Sequence, residues 1–364
     1  MIPKSEEALS DAIADATGPL RIQGGGTRPI GNSAGAVLQT SGLSGISLYE
    51  PGALTLVAGA GTPVAEIEKA LKSENQRLAF EPMDHRPLLG TKGEPTLGGL
   101  AAANVSGPRR IAVGAARDFM LGVRFVDGMG NVVKNGGRVM KNVTGYDLVK
   151  LMAGAFGTLG VLSEVSLKVL PDVETSATLR LHGLDDGQAV AAMSAALGSP
   201  FEVTGAAHLP GEATLIRIEG FEASVNYRAG KLQALLAAFG EVDITGDDPE
   251  TWAAVRDVTA FAGRQGDVWR ISVKPSDAAG LVARLGAEAV QYDWGGGLIW
   301  ALCAPGHDLR AAMGDTKGHA TRIRGDGPLP AFHPEPPALA AISAGLRAKF
   351  DPRGILNPGI MGEG

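Results

Sequence analysis

Three consecutive glycines, Gly24, Gly25 and Gly26, directly follow a short alternating strand, Leu20 to Gln23, and lead into Thr27-Arg28-Pro29-Ile30-Gly31-Asn32. Without a Cβ in the way, successive backbone N–H groups can turn toward one point, which makes a nest for a phosphate or diphosphate. A glycine triplet is also an ordinary flexible turn. Three further glycine-rich segments, each placed where a strand meets a turn or helix, give this one its weight. The 52 glycines of the 364-residue chain follow no collagen period, so the excess belongs to tight turns or to close approaches of backbone to a ligand.

Length and composition, 45% hydrophobic and 20% charged, suit a globular protein of two domains. A net charge of −6 with no basic block argues against a nucleic-acid or anionic-membrane partner. The lone cysteine, Cys303, can form neither an intrachain disulfide nor a cysteine-held zinc or iron–sulfur centre. The acidic start, Met1-Ile2-Pro3-Lys4-Ser5-Glu6-Glu7, reads as no signal peptide, and no stretch is long enough to span a bilayer. A reducing cytoplasm is the expected location.

Ser5 caps an expected first helix that carries Leu9 and Ile13 on one face and stops at Gly18-Pro19. Leu54 to Ala58 reads as a strand, with Thr62-Pro63 opening a helix to about Leu71. The turn between them, Gly59-Ala60-Gly61, begins a dinucleotide fingerprint, but Val64 replaces the third glycine and Glu81 follows no clear strand end. A Rossmann site is therefore rejected. Pro95 to Gly107 is a run of small residues, suited to passing close to a flat, bulky group or to another helix. A hairpin is expected over Leu121 to Lys134, and Val165, Leu167 and Val169 alternate as a strand.

After Asp172 the glycine clusters thin out. Strand-like runs Leu179–Leu181, Leu215–Ile218, Trp269–Val273 and Leu298–Leu302 alternate with Ala-rich helical stretches, which predicts helices on one face of an antiparallel sheet. Gly295-Gly296-Gly297 reads as a hairpin loop. A proline-rich linker from Pro328 to Pro337 leads to a final helix, about Ala338 to Phe350, and a turn-rich tail.

In chain order, Gln-Gly-Gly-Gly-Thr, Thr-Leu-Gly-Gly with Asn104 and Gly107, Gly114 with Arg117-Asp118, Asn142-Val143-Thr144-Gly145-Tyr146-Asp147-Leu148, Gly157-Thr158-Leu159-Gly160-Val161 and Asp351 to Gly359 closely resemble the vanillyl-alcohol oxidase/p-cresol methylhydroxylase (PCMH-type) FAD-binding superfamily. The resemblance covers residues 1 to about 172 and the last thirty or so. It implies an α+β fold: a two-subdomain FAD-binding domain (1–171), an antiparallel-sheet α+β cap (172–327) and a C-terminal segment (328–364) that returns to the first domain.

Within that superfamily the small cap, Ser106 to Arg110 and Lys141 to Leu148 are most similar to the FAD-binding small subunit of glycolate oxidase. This implies noncovalent FAD, a larger flavin subunit and an iron–sulfur subunit as partners, and a small 2-hydroxy acid as substrate. By the same resemblance Gly24, Gly25, Gly26, Thr27, Gly31 and Asn32 form the pyrophosphate loop, and Thr96, Gly98, Gly99, Asn104 and Gly107 a second cofactor-lining segment. Gly157, Gly160 and Val161 meet the adenine-side half. Some relatives attach FAD through a histidine in or after the loop, where this chain has Thr27 and Arg28; His85, the nearest alternative, reads as a surface or turn residue.

Larger relatives that oxidise D-2-hydroxy acids carry a His-rich metal motif in the cap. The six histidines here show no paired ligand spacing, so no metal site is expected and independent oxidation of substrate is in doubt. If the chain does oxidise a hydroxy acid, a cation must hold the carboxylate. Arg109 or Arg110 is the first choice for that clamp, with Arg264, Arg270, Arg324 and His319 behind them. Arg117-Asp118 reads as a structural ion pair. Three readings stay open: a flavin subunit of a glycolate-oxidising complex, an independent FAD oxidoreductase, and a non-catalytic scaffold.

Overall fold

A computed structural model describes residues 1–138 and 145–362. Lys141 to Thr144, part of one family-like segment, lie outside the described residues. Ser5 caps the first helix, Glu6–Ala14, by accepting from Ala8 N (3.1 Å), and Leu9 and Ile13 are fully buried beneath it. The helix over Val64–Lys72 begins one residue later than Thr62-Pro63 suggests, with Pro63 as its cap.

The first domain is built on a five-stranded antiparallel sheet in the order Ile46–Glu50, Thr55–Gly59, Val161–Lys168, Met120–Val126, Val132–Gly136. Leu56, Val165, Leu167 and Phe125 are fully buried in its core, each stabilising the fold by roughly 1.5–3 kcal/mol. Beside it Leu20–Gln23 pairs in parallel with Ala36–Gln39. Parallel neighbours need a crossover, and here that crossover is the glycine-rich loop.

The chain's end closes this region. Asn357 accepts from Ile22 N (2.7 Å) and donates to Phe156 O (2.7 Å), and its own amide donates to Leu20 O (2.9 Å). The tail thus ties the first strand to the Phe156-Gly157 turn. Between the proline-rich segment and this tail runs the helix Pro337–Phe350.

The cap is an eight-stranded sheet in the order Val242–Thr245, Thr175–Leu181, Ala213–Gly220, Val203–Leu209, Ala289–Asp293, Leu298–Cys303, Asp267–Val273, Gly318–Arg324. Each neighbouring pair is antiparallel. The Gly295–Gly297 segment joins two neighbouring strands of it. Alternation sorts the side chains onto two faces. Ile216, Ile218, Trp269, Ile271, Ile299, Ala301 and Ala320 pack with Val190, Met193, Val225, Leu232 and Leu281 from the helices Asp186–Leu197, Glu222–Leu236 and Pro275–Val282. Val268, Leu298, Trp300, Leu302 and Ile323 face the other way, onto Ile30, Met83 and Leu88 of the first domain. The residues in step with this second set therefore look toward the first domain: Arg270 beside Val268, His319 beside Ile323 and, on a neighbouring part of the sheet, Arg217 and Glu219.

Candidate flavin cradle and cap interface

A cavity of about 650 Å³ opens where the glycine loop, the Thr96–Leu100 turn and the Phe156–Leu162 segment converge, within the usual size of a cofactor or ligand site. Gly24, Gly25, Gly26, Thr27, Gly31, Asn32, Thr96, Gly98, Gly99, Gly157, Gly160 and Val161 all line it. Asn104 and Gly107, expected there from the resemblance, do not. Asn104 instead turns the chain in the left-handed region (φ 51°), with its Oδ1 accepting from Arg117 N (2.9 Å). Gly107 packs against Glu81 and Arg256, with its amide donating to Phe80 O (2.8 Å).

Two glycines are required by close approach. A Cβ on Gly25 would run into the Glu94 carbonyl, and one on Gly98 would meet Ala60 Cβ at 2.7 Å. The loop and the Thr96 turn are therefore in backbone contact. Among the described residues the amides of Gly24, Gly25, Gly26 and Thr27 find no acceptor, and free donors grouped on a cavity wall call for an anion. Arg28 stands behind them. Its guanidinium donates to Gly99 O (2.8 Å) and sits 5.7 Å from the centre of the Phe156 ring, and among the described residues no carboxylate pairs with it. Burial brings it down to about 10, so it stays cationic at neutral pH.

Arg28, His85, Phe156 and Asn357 line the cavity but stand outside the sequence-derived set. Asn357 lies in a motif carrying the family resemblance, so that signal was present. His85 is buried, not a surface turn residue as expected: it begins the short helix Arg86–Leu89 while its ring stays in the wall. Burial, reinforced by the Arg28 charge, holds its imidazole neutral, well below the usual histidine range.

Arg109 does not reach the cavity. It is buried and paired with Glu219 of the cap; its Nε donates to Ala79 O (3.0 Å) and its amide to Glu81 Oε2 (3.0 Å). Around it Arg77 pairs with Glu219 (2.9 Å), while Arg217 holds both oxygens of Glu81 (2.9 and 2.8 Å) and stacks on Trp252 (4.5 Å). Each of these guanidiniums has a carboxylate partner. The cluster clamps the cap to the FAD-binding part.

Arg110 turns the other way, its guanidinium 4.4 Å from the centre of the Trp294 ring. Arg117-Asp118 is an exposed pair 3.8 Å apart.

Residues 1–136 match the model of the FAD binding domain family. Over 363 residues the chain is 37% identical to the glycolate oxidase subunit GlcE of Escherichia coli K12, covering 98% of this chain and 95% of that one. The chain belongs to the GlcE family. FAD is accordingly its cofactor, and the cradle of free amides with Arg28 behind it fits the diphosphate of that group. Glycolate oxidase subunit GlcD of Bacillus subtilis 168 is 30% identical over 165 residues, 44% of this chain and 34% of that one. Among solved structures, alkyldihydroxyacetonephosphate synthase superposes with a TM-score of 0.70 over 98% of this chain and 75% of its own, at 17% identity, and so shares the fold. Among the described residues, no helix is long and apolar enough to cross a membrane.

Proposed function

We propose that this chain is the FAD-carrying small subunit of a complex that oxidises glycolate or a close 2-hydroxy acid, taking or relaying reducing equivalents beside a larger flavin subunit and an iron–sulfur subunit. The observation that carries the reading is the end-to-end match to a glycolate oxidase subunit, joined to a cavity whose free amides suit a diphosphate. A GlcD protein matches under half of the chain, in keeping with two flavin subunits that share one cofactor-binding plan. Cys303 is buried and alone, so cluster ligands would have to come from elsewhere.

FAD supplies a two-electron acceptor when bound. The chain's own contribution is to hold the diphosphate on the amides of Gly24 to Thr27, to balance its charge with Arg28, and to shield the site with the cap. Attachment is noncovalent, since Thr27 and Arg28 occupy the loop where covalently linked relatives place histidine. Acid precipitation should release all the yellow colour; flavin retained in the pellet would overturn this and point to His85, which lines the cavity.

Anaerobic addition of glycolate tests the larger reading. The isolated chain should keep its flavin colour or lose it slowly, and the reconstituted complex should bleach fast. Fast bleaching of the chain alone would make it an independent oxidoreductase. A colourless chain within an active complex would make it a scaffold.

A further inference from the structure

Trp294 belongs to the cap, in the turn Trp294–Gly296 between two sheet strands, yet its indole N–H donates to Gly107 O of the FAD-binding part (3.0 Å). Two guanidiniums stand near its ring: Arg110 from the first domain at 4.4 Å from the ring centre and Arg270 from the cap sheet at 5.0 Å. Among the described residues neither side chain makes an ion pair or a hydrogen bond. The acids whose charges reach them, Asp118 for Arg110 and Asp293 for Arg270, form no ion pair with either. Asp118 accepts from Ala115 N (2.8 Å), and the Asp293 carboxylate, pushed up to about 7 by burial, accepts from Trp294 N (2.7 Å).

Two like charges sharing one indole, both partly removed from water, are costly without a counter-ion. Burial and the neighbouring Arg110 charge bring Arg270 down to about 10, so it remains cationic at neutral pH. His319 lies on the same sheet face, its imidazole pushed below the usual range by burial and by the charges of Arg270, His333 and Arg110. Arg110, Arg270, Trp294 and His319 do not line the flavin cavity, but the Arg270 charge reaches His85 in its wall. Val105 lines that cavity and packs in the same apolar cluster as Trp294.

We propose that Arg110 and Arg270, held by Trp294, form a binding site for a small carboxylate, which bridges the FAD-binding part and the cap at the edge of the flavin cavity. Planar guanidinium groups match a carboxylate two donors at a time, which lysines would not. The indole keeps the pair in place while leaving their edges free to donate. This site rests on the proposed function, because it gives the 2-hydroxy acid of that reading its anchoring end.

The test is equilibrium binding of oxalate, a carboxylate that cannot be oxidised as an alcohol, to the full-length FAD-loaded chain, followed by tryptophan fluorescence and the flavin difference spectrum. Oxalate should saturate the wild type, and sodium chloride at equal ionic strength should give no saturable change. Loss of one charged partner should weaken binding about tenfold or more in both R270M and R110M, with R270K in between. Oxalate affinity unchanged in R110M and R270M would overturn the site, as would no saturable binding to the wild type. Should R270M fail to fold, R110M, which changes the other domain, decides the matter. Flavin absorbance of the same samples separates the two claims: a colourless wild type defeats the flavin reading, whereas yellow protein with unchanged oxalate affinity defeats only this site.

Discussion

Arg109 and Arg110 are neighbours in the chain and face opposite electrostatic worlds. Arg109 enters a lattice with Arg77, Arg217, Glu81, Glu219 and Asp172, where each cation meets an acid. Arg110 joins Arg270 beside Trp294, where among the described residues neither forms an ion pair. Both clusters lie under the same face of the cap sheet, Arg109 and Arg217 buried and Arg110 and Arg270 half-buried. The difference is completeness. A balanced lattice has its partners built in and fixes how the cap sits; an unbalanced one leaves donors for something that arrives.

Removing an acid from the balanced lattice should have the largest effect. Glu219→Ala leaves the buried Arg109 without its ion-pair partner and Arg77 with Asp172 alone, and should lower stability by about 3–5 kcal/mol, read as a fall in the urea midpoint. A midpoint unchanged from wild type would erase the distinction between the clusters.

His85 sharpens the contrast from the open side, since it is held neutral by burial and by Arg28, with Arg270 adding to the effect. The unfolded chain accepts a proton there below about pH 6.5 while the folded chain refuses it. The stabilisation is therefore complete above that pH and lost on acidification, by up to about 1.4 kcal/mol per pH unit. His85→Gln should flatten the loss of stability between about pH 6.5 and about pH 5, seen in urea midpoints across that range. A slope identical to wild type would show that His85 charges freely in the fold.

The smallest expected effect falls on Arg110. Because it gives up no ion pair, Arg110→Met should leave stability unchanged or raise it by up to about 1 kcal/mol. A loss as large as that of Glu219→Ala would mean that Arg110 has a structural partner after all.

The cradle was largely legible in the sequence because its determinants are local. Gly25 and Gly98 are dictated by backbone contacts that any Cβ would block, and the order of the glycine turns already matched a known family. Asn104 and Gly107, named by that same matching, do not line the cavity. They share the segment but serve its turn and its packing against Glu81. The Arg109–Arg110 distinction was not legible, since it depends on which side of a short turn faces the cap and on sheet alternation at Glu219 and Arg270, more than 100 residues away. His85 was misjudged for a similar reason: its neighbours Asp84 and Pro87 advertise a turn, whereas its burial is created by distant elements.

The central claim is that the free amides of Gly24 to Thr27 grip the diphosphate of FAD. Flavin absorbance of the full-length chain after gel filtration from excess FAD, compared with Gly25→Val, tests it most directly. The account predicts a yellow wild type and a variant that retains its cap, as judged by tryptophan fluorescence, but elutes colourless. A colourless wild type, or a variant as yellow as the wild type, would contradict it.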